Sequence, residues 1–456
     1  MRSFKLKDYI LRDTIAAVST FPSKSALGVI KISGKRALTI ANKIFTPKHK
    51  KDLKKVKNFT IHYGWIKDID EVLVSVMRGP HSYTTENVIE ISSHGGAVVL
   101  NKILQTVLDC GARLALVGEF TYRALVYGRI DLFQAQSICN IVEARSSEGL
   151  KLAQAQLRGE SSQTISKLKE EVKDLFTQFE AYINFPEDQI SFSKSLIRKR
   201  LKKAFNKIDH ILDGSKEAKV LTEGLRCVIC GRANVGKSTL FNRLLKQERV
   251  IVSHISGTTR DVVEETISIK GVPLKIYDTA GIFEGKDLIT KRAIEHSHRA
   301  FDEADLIILL LDGSKPLSKD DNLLLKKIDG RNVIICINKS DLKQKINLKA
   351  IKGRKVRLSA LRNKGIKDLE EAVHKAVYKD GISRQDMIFL SQHQSKMLKE
   401  AKSHISQACD FFDQGYTVDF TATALKNCLD SLGALSGDVL SQDILKSIFS
   451  NFCIGK

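Results

Sequence analysis

Residues 231–238 read Gly-Arg-Ala-Asn-Val-Gly-Lys-Ser, which fits G-x-x-x-x-G-K-S, the pattern of a phosphate-binding loop. An apolar run, Arg226–Cys230, lies directly before this stretch, and the helical run 239–245 follows it. This context suits the loop, because its glycines let backbone N–H groups surround phosphate oxygens at a helix N-terminus. Lys237 adds a positive charge, and the Ser238 hydroxyl can ligate Mg²⁺. The stretch therefore predicts an α/β domain with a nucleotide site.

Further motifs at predicted strand ends indicate which nucleotide binds. Asp278-Thr279-Ala280-Gly281 follows a strand at 274–278, where the carboxylate can hold the Mg²⁺ shell and the glycine amide can sense a γ-phosphate. Asn338-Lys339-Ser340-Asp341 follows a strand at 333–338. Its Asp341 carboxylate can accept hydrogen bonds from the N1–H and the exocyclic amine of guanine, a pair of donors that adenine lacks. Ser359-Ala360, after Val356-Arg357-Leu358, would complete the base pocket through backbone contacts.

These motifs predict a GTP site with a switch loop at residues 257–261. Thr259 in that loop can reach Mg²⁺ only when the γ-phosphate is present. The predicted nucleotide-binding residues are Asn234, Val235, Gly236, Lys237, Ser238, Thr239, Ser253, His254, Ile255, Ser256, Gly257, Thr258, Thr259, Asp278, Thr279, Ala280, Gly281, Asn338, Lys339, Asp341, Ser359 and Ala360.

Ile282 stands where many GTPases have a glutamine that orients the attacking water. Hydrolysis therefore needs a group other than this glutamine. The side-chain oxygen of Asn234 and carbonyls of the loop Ser253–Thr258 can together form a site for a monovalent cation. Such a cation would stabilise charge where an arginine finger does so in other GTPases.

Composition restricts the class of protein. The chain has 456 residues, 43% hydrophobic and 28% charged, which predicts a globular protein of about two to four domains. Its formal net charge of +22 favours a polyanionic partner such as nucleic acid. The longest aliphatic run, Leu306–Leu311, is far shorter than the ~20 residues of a membrane span, so we expect no membrane span and no signal peptide. Eight dispersed cysteines indicate free thiols in a reducing cytoplasm.

Hydrophobic periodicity divides the chain into four segments. Residues 1–122 mix short β-rich runs with helices and predict an α+β domain. Residues 123–222 and 383–456 have helical periodicity and predict one helical domain in two parts. Residues 223–382 alternate helices with strands at Arg226–Cys230, Leu274–Asp278, Leu306–Asp312 and Val333–Asn338, which predicts a Ras-like P-loop α/β domain inserted into the helical domain. The predicted fold class is thus multidomain, α+β and α/β.

With these residues in place, the chain resembles the MnmE (TrmE) family of tRNA-modification GTPases from Asp13 to Lys456. Outside the GTPase motifs the resemblance is carried by Asp13-Thr14-Ile15-Ala16-Ala17, Ser82-Tyr83-Thr84-Thr85-Glu86-Asn87-Val88, His94-Gly95-Gly96, Gly118-Glu119-Phe120-Thr121, Asp131-Leu132-Phe133-Gln134-Ala135-Gln136, Phe185-Pro186-Glu187-Asp188 and Phe449-Ser450-Asn451-Phe452-Cys453-Ile454-Gly455-Lys456.

The resemblance implies an N-terminal domain that binds 5-formyl-tetrahydrofolate or a related one-carbon folate and forms a homodimer. It also implies a K⁺-dependent GTPase domain that dimerises across its active sites, and a partner flavoprotein of the MnmG (GidA) kind with FAD and NADH. Together the two proteins would add an aminomethyl or carboxymethylaminomethyl group to C5 of the wobble uridine in certain tRNAs.

Position by position, the resemblance implies three sets of ligands. The K⁺ ligands would be Asn234, Ser253, Ile255 and Thr258, and the Mg²⁺ ligands Ser238 and Thr259. The folate contacts would be Lys31, Glu90, Arg129 and Lys456. Lys31 stands where the family more usually has arginine, so this chain lacks the bidentate guanidinium at that position.

Two catalytic assignments remain open. The family's water-orienting glutamate aligns with Thr290, so either Glu284 or Asp287 substitutes for it, or hydrolysis is slow. Cys453 near the C-terminus is a nucleophile or a contact at the folate site. The alternative to tRNA modification is an RNA-binding switch in ribosome assembly, although such GTPases usually append a small RNA-binding module after the GTPase domain.

The remaining features have plainer interpretations. Cys227 and Cys230 have the spacing of a redox motif but lie within a predicted strand, so we expect them in the core. His94 is expected in a turn or as a hydrogen-bonded polar group. The basic clusters Lys48–Lys57 and Lys194–Lys203 form either solvated faces or contacts to tRNA phosphates.

Overall fold

The computed structural model describes residues 13–20, 24–49, 52–184, 193–247, 264–277, 301–348, 351–377, 386–437, 449, 452 and 455. The strands in these ranges are β1 (Ile15–Val18), β2 (Ser25–Ser33), β3 (Phe45–Pro47), β4 (Thr60–Ile66), β5 (Asp70–Met77), β6 (Val88–Gly95), β7 (Arg113–Leu114), β8 (Leu225–Cys230), β9 (Glu264–Ile269), β10 (Val272–Tyr277), β11 (Leu306–Asp312), β12 (Val333–Asn338) and β13 (Arg354–Arg357). The helices are α1 (Ala37–Ile44), α2 (Ala97–Asp109), α3 (Glu119–Val126), α4 (Leu132–Glu143), α5 (Ser147–Leu157), α6 (Glu160–Asn184), α7 (Lys194–Glu223), α8 (Lys237–Gln247), α9 (Lys319–Lys327), α10 (Ile366–Val377), α11 (Gln392–Gln414) and α12 (Val418–Ser436).

The chain forms two compact units. The first unit comprises Met1–Cys139, Leu157–Leu201 and Ser391–Lys456, and the second comprises Asn140–Gln156 and Lys202–Leu390. Each unit is therefore built from separate stretches of sequence. The domain limits at residues 122, 222 and 382 stay a prediction.

A seven-stranded sheet lies in the first unit, in the order β3-β4-β5-β6-β2-β1-β7. Neighbouring strands are antiparallel except for β1 and β7, which are parallel. Because side chains alternate between the two faces of a strand, one face packs against α1 and α2 and the other carries Lys31 and Glu90. The buried set includes Ile30, Ile32, Val72, Val74, Val76, Ile89, Ile91, Leu100 and Ile103.

Helices α6, α11 and α12 pack together in the first unit. Their buried residues recur every three or four positions, for example Leu168, Val172, Leu175 and Phe179 in α6, which places them on one helical face. Helix α11 is preceded by a capping box between Ser391 and Gln394 and followed by the C-cap residue Gly415, whose φ is 73°. The helical periodicity noted in these segments is therefore confirmed.

The second unit contains a six-stranded sheet in the order β13-β12-β11-β8-β10-β9. All neighbouring strands are parallel except β9 and β10. Apolar clusters cover both faces, and every residue of β11 is buried, as expected for the centre of a parallel sheet. The carboxyl ends of parallel strands lie at one edge, so the loops after β8, β11 and β12 are neighbours.

The strands predicted in the nucleotide-binding segment agree with the structure. β11 and β12 have the predicted limits, whereas β8 begins one residue early at Leu225 and β10 spans Val272–Tyr277. No helix within the described ranges is long and apolar enough to cross a membrane.

Candidate functional site

The predicted phosphate loop connects β8 to α8, and its backbone adopts conformations that few side chains tolerate. Gly231 and Gly236 have φ of 148° and 103°, and Asn234 has φ of 62°. A Cβ at Gly236 would collide with the side-chain amide of Asn338. The sequence therefore needs glycine here, both for the left-handed backbone and for close approach of the base motif.

Lys237, the first residue of α8, extends back over this loop. Its Nζ donates hydrogen bonds to the carbonyl oxygens of Gly231 at 2.9 Å and Arg232 at 3.0 Å. The ammonium thus lies within the loop, at the positive end of the helix. A loop of this geometry can hold a phosphate chain through backbone N–H groups and one fixed charge.

Asn338 connects the phosphate loop to the base motifs. Its Nδ2 donates to the carbonyl of Val235 at 2.7 Å, and its Oδ1 accepts from the Ala360 amide at 3.0 Å. Both hydrogen bonds are buried. One side chain therefore sets the spacing between the phosphate loop and the loop that carries Ser359-Ala360.

Asp341 presents an ionised acceptor at this site. Its carboxylate is exposed, and a hydrogen bond from the side chain of Ser359 lowers its pKa below the ordinary value. The Ser359 side chain is buried and also accepts from the amide of Arg362 at 3.2 Å. At neutral pH the carboxylate is therefore charged and can accept hydrogen bonds from a guanine base.

For the nucleotide site, the structure brings together the predicted residues that it describes, namely Asn234, Val235, Gly236, Lys237, Ser238, Thr239, Asn338, Lys339, Asp341, Ser359 and Ala360. The other residues predicted for this site lie outside the described ranges; they are Ser253 to Thr259, Asp278 to Gly281, Glu284, Asp287 and Thr290. Cys453 and Lys456 also lie outside these ranges.

A second cluster lies on the face of the first unit's sheet that α1 and α2 leave open. Lys31 on β2 pairs with Glu90 on β6, with 3.5 Å between Nζ and Oε1. The Lys31 ammonium lies 5.8 Å from the ring centroid of Tyr83, and the Arg129 guanidinium lies 4.7 Å from it. Three of the four predicted folate contacts therefore meet around one aromatic ring.

Tyr83 was not predicted as a site residue, although it lies in one of the quoted motifs. Its hydroxyl hydrogen-bonds to Thr121 at 2.8 Å, and burial raises its pKa. The ring is therefore fixed and neutral, and it offers a π face to two cations. An aromatic residue between polar neighbours is the only sequence signal that could have identified it.

A buried ionic network stands beside this cluster. The side chain of Arg123 is inaccessible to solvent and contacts Asp13, Glu86 and Glu119 at 2.7, 3.0 and 2.9 Å. Arg113 also binds Asp13 and Glu119. Two guanidinium groups thus neutralise most of the charge of three carboxylates, and Glu86 connects them to the loop that carries Tyr83.

The described residues offer few metal ligands or reactive thiols. Ser238 and Asn234 are exposed on the phosphate loop, where the oxygen of Ser238 suits Mg²⁺ and that of Asn234 suits K⁺. Within the described ranges, no group of three or more His, Cys, Asp or Glu residues could hold a metal ion. Cys227 and Cys230 are buried, and burial raises the pKa of Cys230 to about 12. Their predicted place in the core is confirmed.

His94 and the basic clusters complete the predicted features. Nδ1 of His94 lies 2.8 Å from Asp70, so this histidine is a hydrogen-bonded polar group, one of the two expected roles. Exposed lysines occur in both basic clusters, so contact between either cluster and tRNA stays a prediction.

Comparisons with known proteins cover almost the whole chain. Residues 132–453 match the family model of the MnmE helical domain, and residues 14–129 match that of the GTP-binding protein TrmE N-terminus. A tRNA modification GTPase MnmE from Thermoanaerobacter pseudethanolicus is 40% identical over 97% of this chain and 99% of its own length. The Clostridioides difficile tRNA modification GTPase MnmE has the same identity and coverages.

Among solved structures, Era from Aquifex aeolicus bound to GDP·AlF4⁻ is 25% identical, covering 39% of this chain and 65% of Era with a TM-score of 0.27. That score is too low to bear on the fold. The family matches, in contrast, extend through both units and include every described element of the two candidate sites. The chain belongs to the MnmE family of tRNA modification GTPases.

Proposed function

We propose that this protein binds and hydrolyses GTP and that hydrolysis drives a modification of tRNA. The observation that carries the GTP assignment is the hydrogen-bonded link from Val235 through Asn338 to Ala360, which sets the phosphate loop and base pocket at a fixed separation. Ser238 and, by resemblance, Thr259 would hold Mg²⁺, which would neutralise phosphate charge when bound. Family membership over 97% of the chain supports tRNA modification over the ribosome-assembly alternative.

The first test measures GTP turnover by the full chain. Lys237→Ala should lose nucleotide binding, because it removes the ammonium group that is hydrogen-bonded within the phosphate loop. Lys367→Ala is the matched control, since Lys367 is an exposed lysine at the start of α10. Mass spectrometry of tRNA nucleosides from a deletion strain carrying either variant then tests the modification. Normal wobble uridines in the deletion strain, together with a defect in ribosome assembly, would favour the alternative function.

The specific reaction we propose is addition of an aminomethyl or carboxymethylaminomethyl group to C5 of the wobble uridine, in the cytoplasm, with an FAD-dependent flavoprotein of the MnmG kind. Support comes from family membership and from the seven described cysteines, which are all free thiols, as expected in a reducing compartment.

We also propose that K⁺ assists hydrolysis. Asn234 supports this role because its left-handed backbone stands in the phosphate loop with the side chain exposed.

We propose that the cluster of Lys31, Glu90 and Arg129 around Tyr83 binds a one-carbon folate. Two cations and an aromatic face suit a ligand with a ring system and carboxylates. Titration calorimetry with 5-formyl-tetrahydrofolate tests this, and Tyr83→Leu should weaken binding by about tenfold. Equal affinity of the wild type and the variant would show that the ring plays no part.

We propose that the chain forms a homodimer through the open face of the same sheet. The face has apolar and aromatic side chains that are 40–68% exposed: Phe59, Ile61, Tyr63, Trp65 and Leu73. Strand register continues this face to the folate cluster, because Lys31 pairs with Glu90, Glu90 with Ser75, and Ser75 with Ile61. A contiguous apolar patch beside a binding site is typical of an interface.

Sedimentation velocity tests the dimer. Leu73→Lys should give a monomer, because it places a charge among the exposed apolar side chains directly opposite Tyr63. Leu361→Lys in the second unit is the control, since Leu361 is 69% exposed and lies outside this face. If Leu73→Lys sediments as a dimer, the interface lies elsewhere.

A further inference from the structure

The turn at the end of β11 contains a buried carboxylate that no nucleotide motif includes. Asp312 is the last residue of β11, pairs in register with Asn338 of β12, and is only 4% exposed. A buried carboxylate is unfavourable unless its oxygens are hydrogen-bonded and its charge is paired. Its partners therefore show what the carboxylate does.

Both oxygens of Asp312 are occupied. Oδ1 accepts from the amide of Ser314 at 3.0 Å and from its hydroxyl at 2.6 Å. Oδ2 accepts from Nζ of Lys339 at 2.7 Å. Although burial alone would raise the pKa of Asp312, the hydrogen bonds from Lys339 and Ser314 lower it, so the carboxylate is ionised and the interaction is charge-assisted.

Lys339 is held at both ends. Its backbone is left-handed, with φ of 61°, a conformation that is unfavourable for non-glycine residues. Its carbonyl accepts from Nε2 of Gln344 at 2.9 Å, and its ammonium is bound by Asp312. These two contacts, from the carbonyl to Gln344 and from the ammonium to Asp312, stabilise the left-handed backbone of Lys339.

The two turns are also connected through their backbones. The Gly313 amide donates to the carbonyl of Asn338 at 2.9 Å, and the Lys345 amide donates to the carbonyl of Gly313 at 2.8 Å. These bonds would keep the loops adjacent without the side-chain pair. The contact between Asp312 and Lys339 therefore fixes the position of the lysine side chain within the loop that contains Asp341.

We propose that Asp312 is a positioning residue of the guanine site: it holds the Lys339 side chain so that the loop Asn338–Asp341 is ready to receive the base. This inference rests on the proposed GTP binding. It assigns a role to a residue outside the phosphate-loop and base-recognition motifs, and it predicts that the role is in nucleotide binding rather than in the hydrolytic step.

The first test compares Asp312→Asn with the wild type. The variant should bind GTP and GDP more weakly by the same factor, about tenfold, because the base is common to both nucleotides. KM for GTP should rise in parallel while kcat at saturating GTP is unchanged. Asp305→Asn is the matched control: Asp305 precedes β11 at the opposite end and binds Arg226, so nucleotide affinity should not change.

A double-mutant cycle provides the readout that a purely structural role would not change. Lys339→Met should weaken nucleotide binding in the wild type but have little further effect in Asp312→Asn, because the two groups act as one unit. Additive effects, or a fall in kcat without a change in KM, would overturn the proposal.

If Asp312→Asn does not fold, Ser314→Ala is the second variant. It keeps the ion pair between Asp312 and Lys339 and should weaken nucleotide binding about threefold. Unchanged affinity would contradict the proposed role of Asp312.

Nucleotide binding by the wild type separates the role of Asp312 from GTP binding itself. If the wild type itself binds neither GTP nor GDP, GTP binding is wrong. If the wild type binds both and Asp312→Asn binds them equally well, only the role of Asp312 is wrong.

Discussion

We expect Asp341 to determine which base the nucleotide site accepts, because it is the ionised acceptor in the loop that begins at Asn338. Asp341→Asn exchanges a pure acceptor for a group that presents a donor to the base. We expect GTP affinity to fall about a hundredfold and xanthosine triphosphate, which carries a carbonyl in place of the amine, to bind better than GTP. Competition between the two nucleotides for the variant measures this, and an unchanged preference would refute the guanine assignment.

Asn234 is the described member of the proposed K⁺ site. Hydrolysis should be faster in K⁺ than in Na⁺ by about a hundredfold, because the larger cation would suit the site that we propose for the Asn234 side chain and the carbonyls of residues 253–258. Asn234→Ala should lose this difference, with turnover in Na⁺ almost unchanged. Initial rates in matched KCl and NaCl buffers check the prediction, which fails if the variant remains stimulated by K⁺.

A functional residue could be predicted from the sequence when the residues it acts with lie close to it along the chain. The phosphate loop has its ligands within eight consecutive residues, so 231–238 and Asn338–Asp341 were identified from spacing alone. Asp312 and Tyr83 function through partners far away in sequence, since Lys339 is 27 residues from Asp312. No local pattern distinguishes such residues from ordinary strand and loop residues, because the fold creates the contact.

Arg123 on helix α3 is buried and forms ion pairs with Asp13, Glu86 and Glu119. Arg123→Met should destabilise the first unit by about 3–5 kcal/mol, because Glu86 and Glu119 would then be buried with less compensation for their charge. The exposed pair of Arg158 and Glu160 provides the control, and Arg158→Met should cost less than about 1 kcal/mol. Urea unfolding followed by circular dichroism measures both changes.

Acid should reduce the difference between Arg123→Met and the wild type. Hydrogen bonds and charge attraction from Arg113 and Arg123 lower the pKa of Asp13 against the opposing effect of burial. A carboxylate with a lowered folded-state pKa stabilises the fold above its unfolded pKa of about 3.9 and loses that contribution as the pH falls further. A difference that grew on acidification would contradict the assigned role of Arg123.

Secondary-structure elements were predictable where hydrophobic periodicity was strong. β11 and β12 are continuous apolar runs, and α6 has a regular buried stripe, so all three were found. β4 was not identified, and its alternation is the reverse of that expected for a half-buried strand: the apolar side chains of Ile61, Tyr63 and Trp65 are on the exposed face. The same feature supports the proposed dimer interface.

The C-terminal segment belongs to the first unit, whereas every described nucleotide motif belongs to the second. Phe449 and Phe452 are buried and pack in one apolar cluster with Tyr122. The carbonyl of Gly455 accepts from the hydroxyl of Ser19 at 3.2 Å, so the end of the chain lies beside β1. The buried aromatic residues therefore give the segment a structural role.

Deleting Cys453 to Lys456 should separate the two activities of the protein. Both aromatic anchors remain, so the first unit should keep its fold, and GTP turnover should remain near that of the wild type because no nucleotide motif is changed. Wobble-uridine modification should be lost, because the deletion removes Cys453 and Lys456, which we propose act at the folate site. Complementation of a deletion strain, followed by nucleoside mass spectrometry, measures modification, and Cys453→Ser shows how much of the loss is due to the thiol. Normal modification by the truncated chain would make the tail structural only, whereas equal loss of GTP turnover and modification would mean that the tail also supports the GTPase cycle.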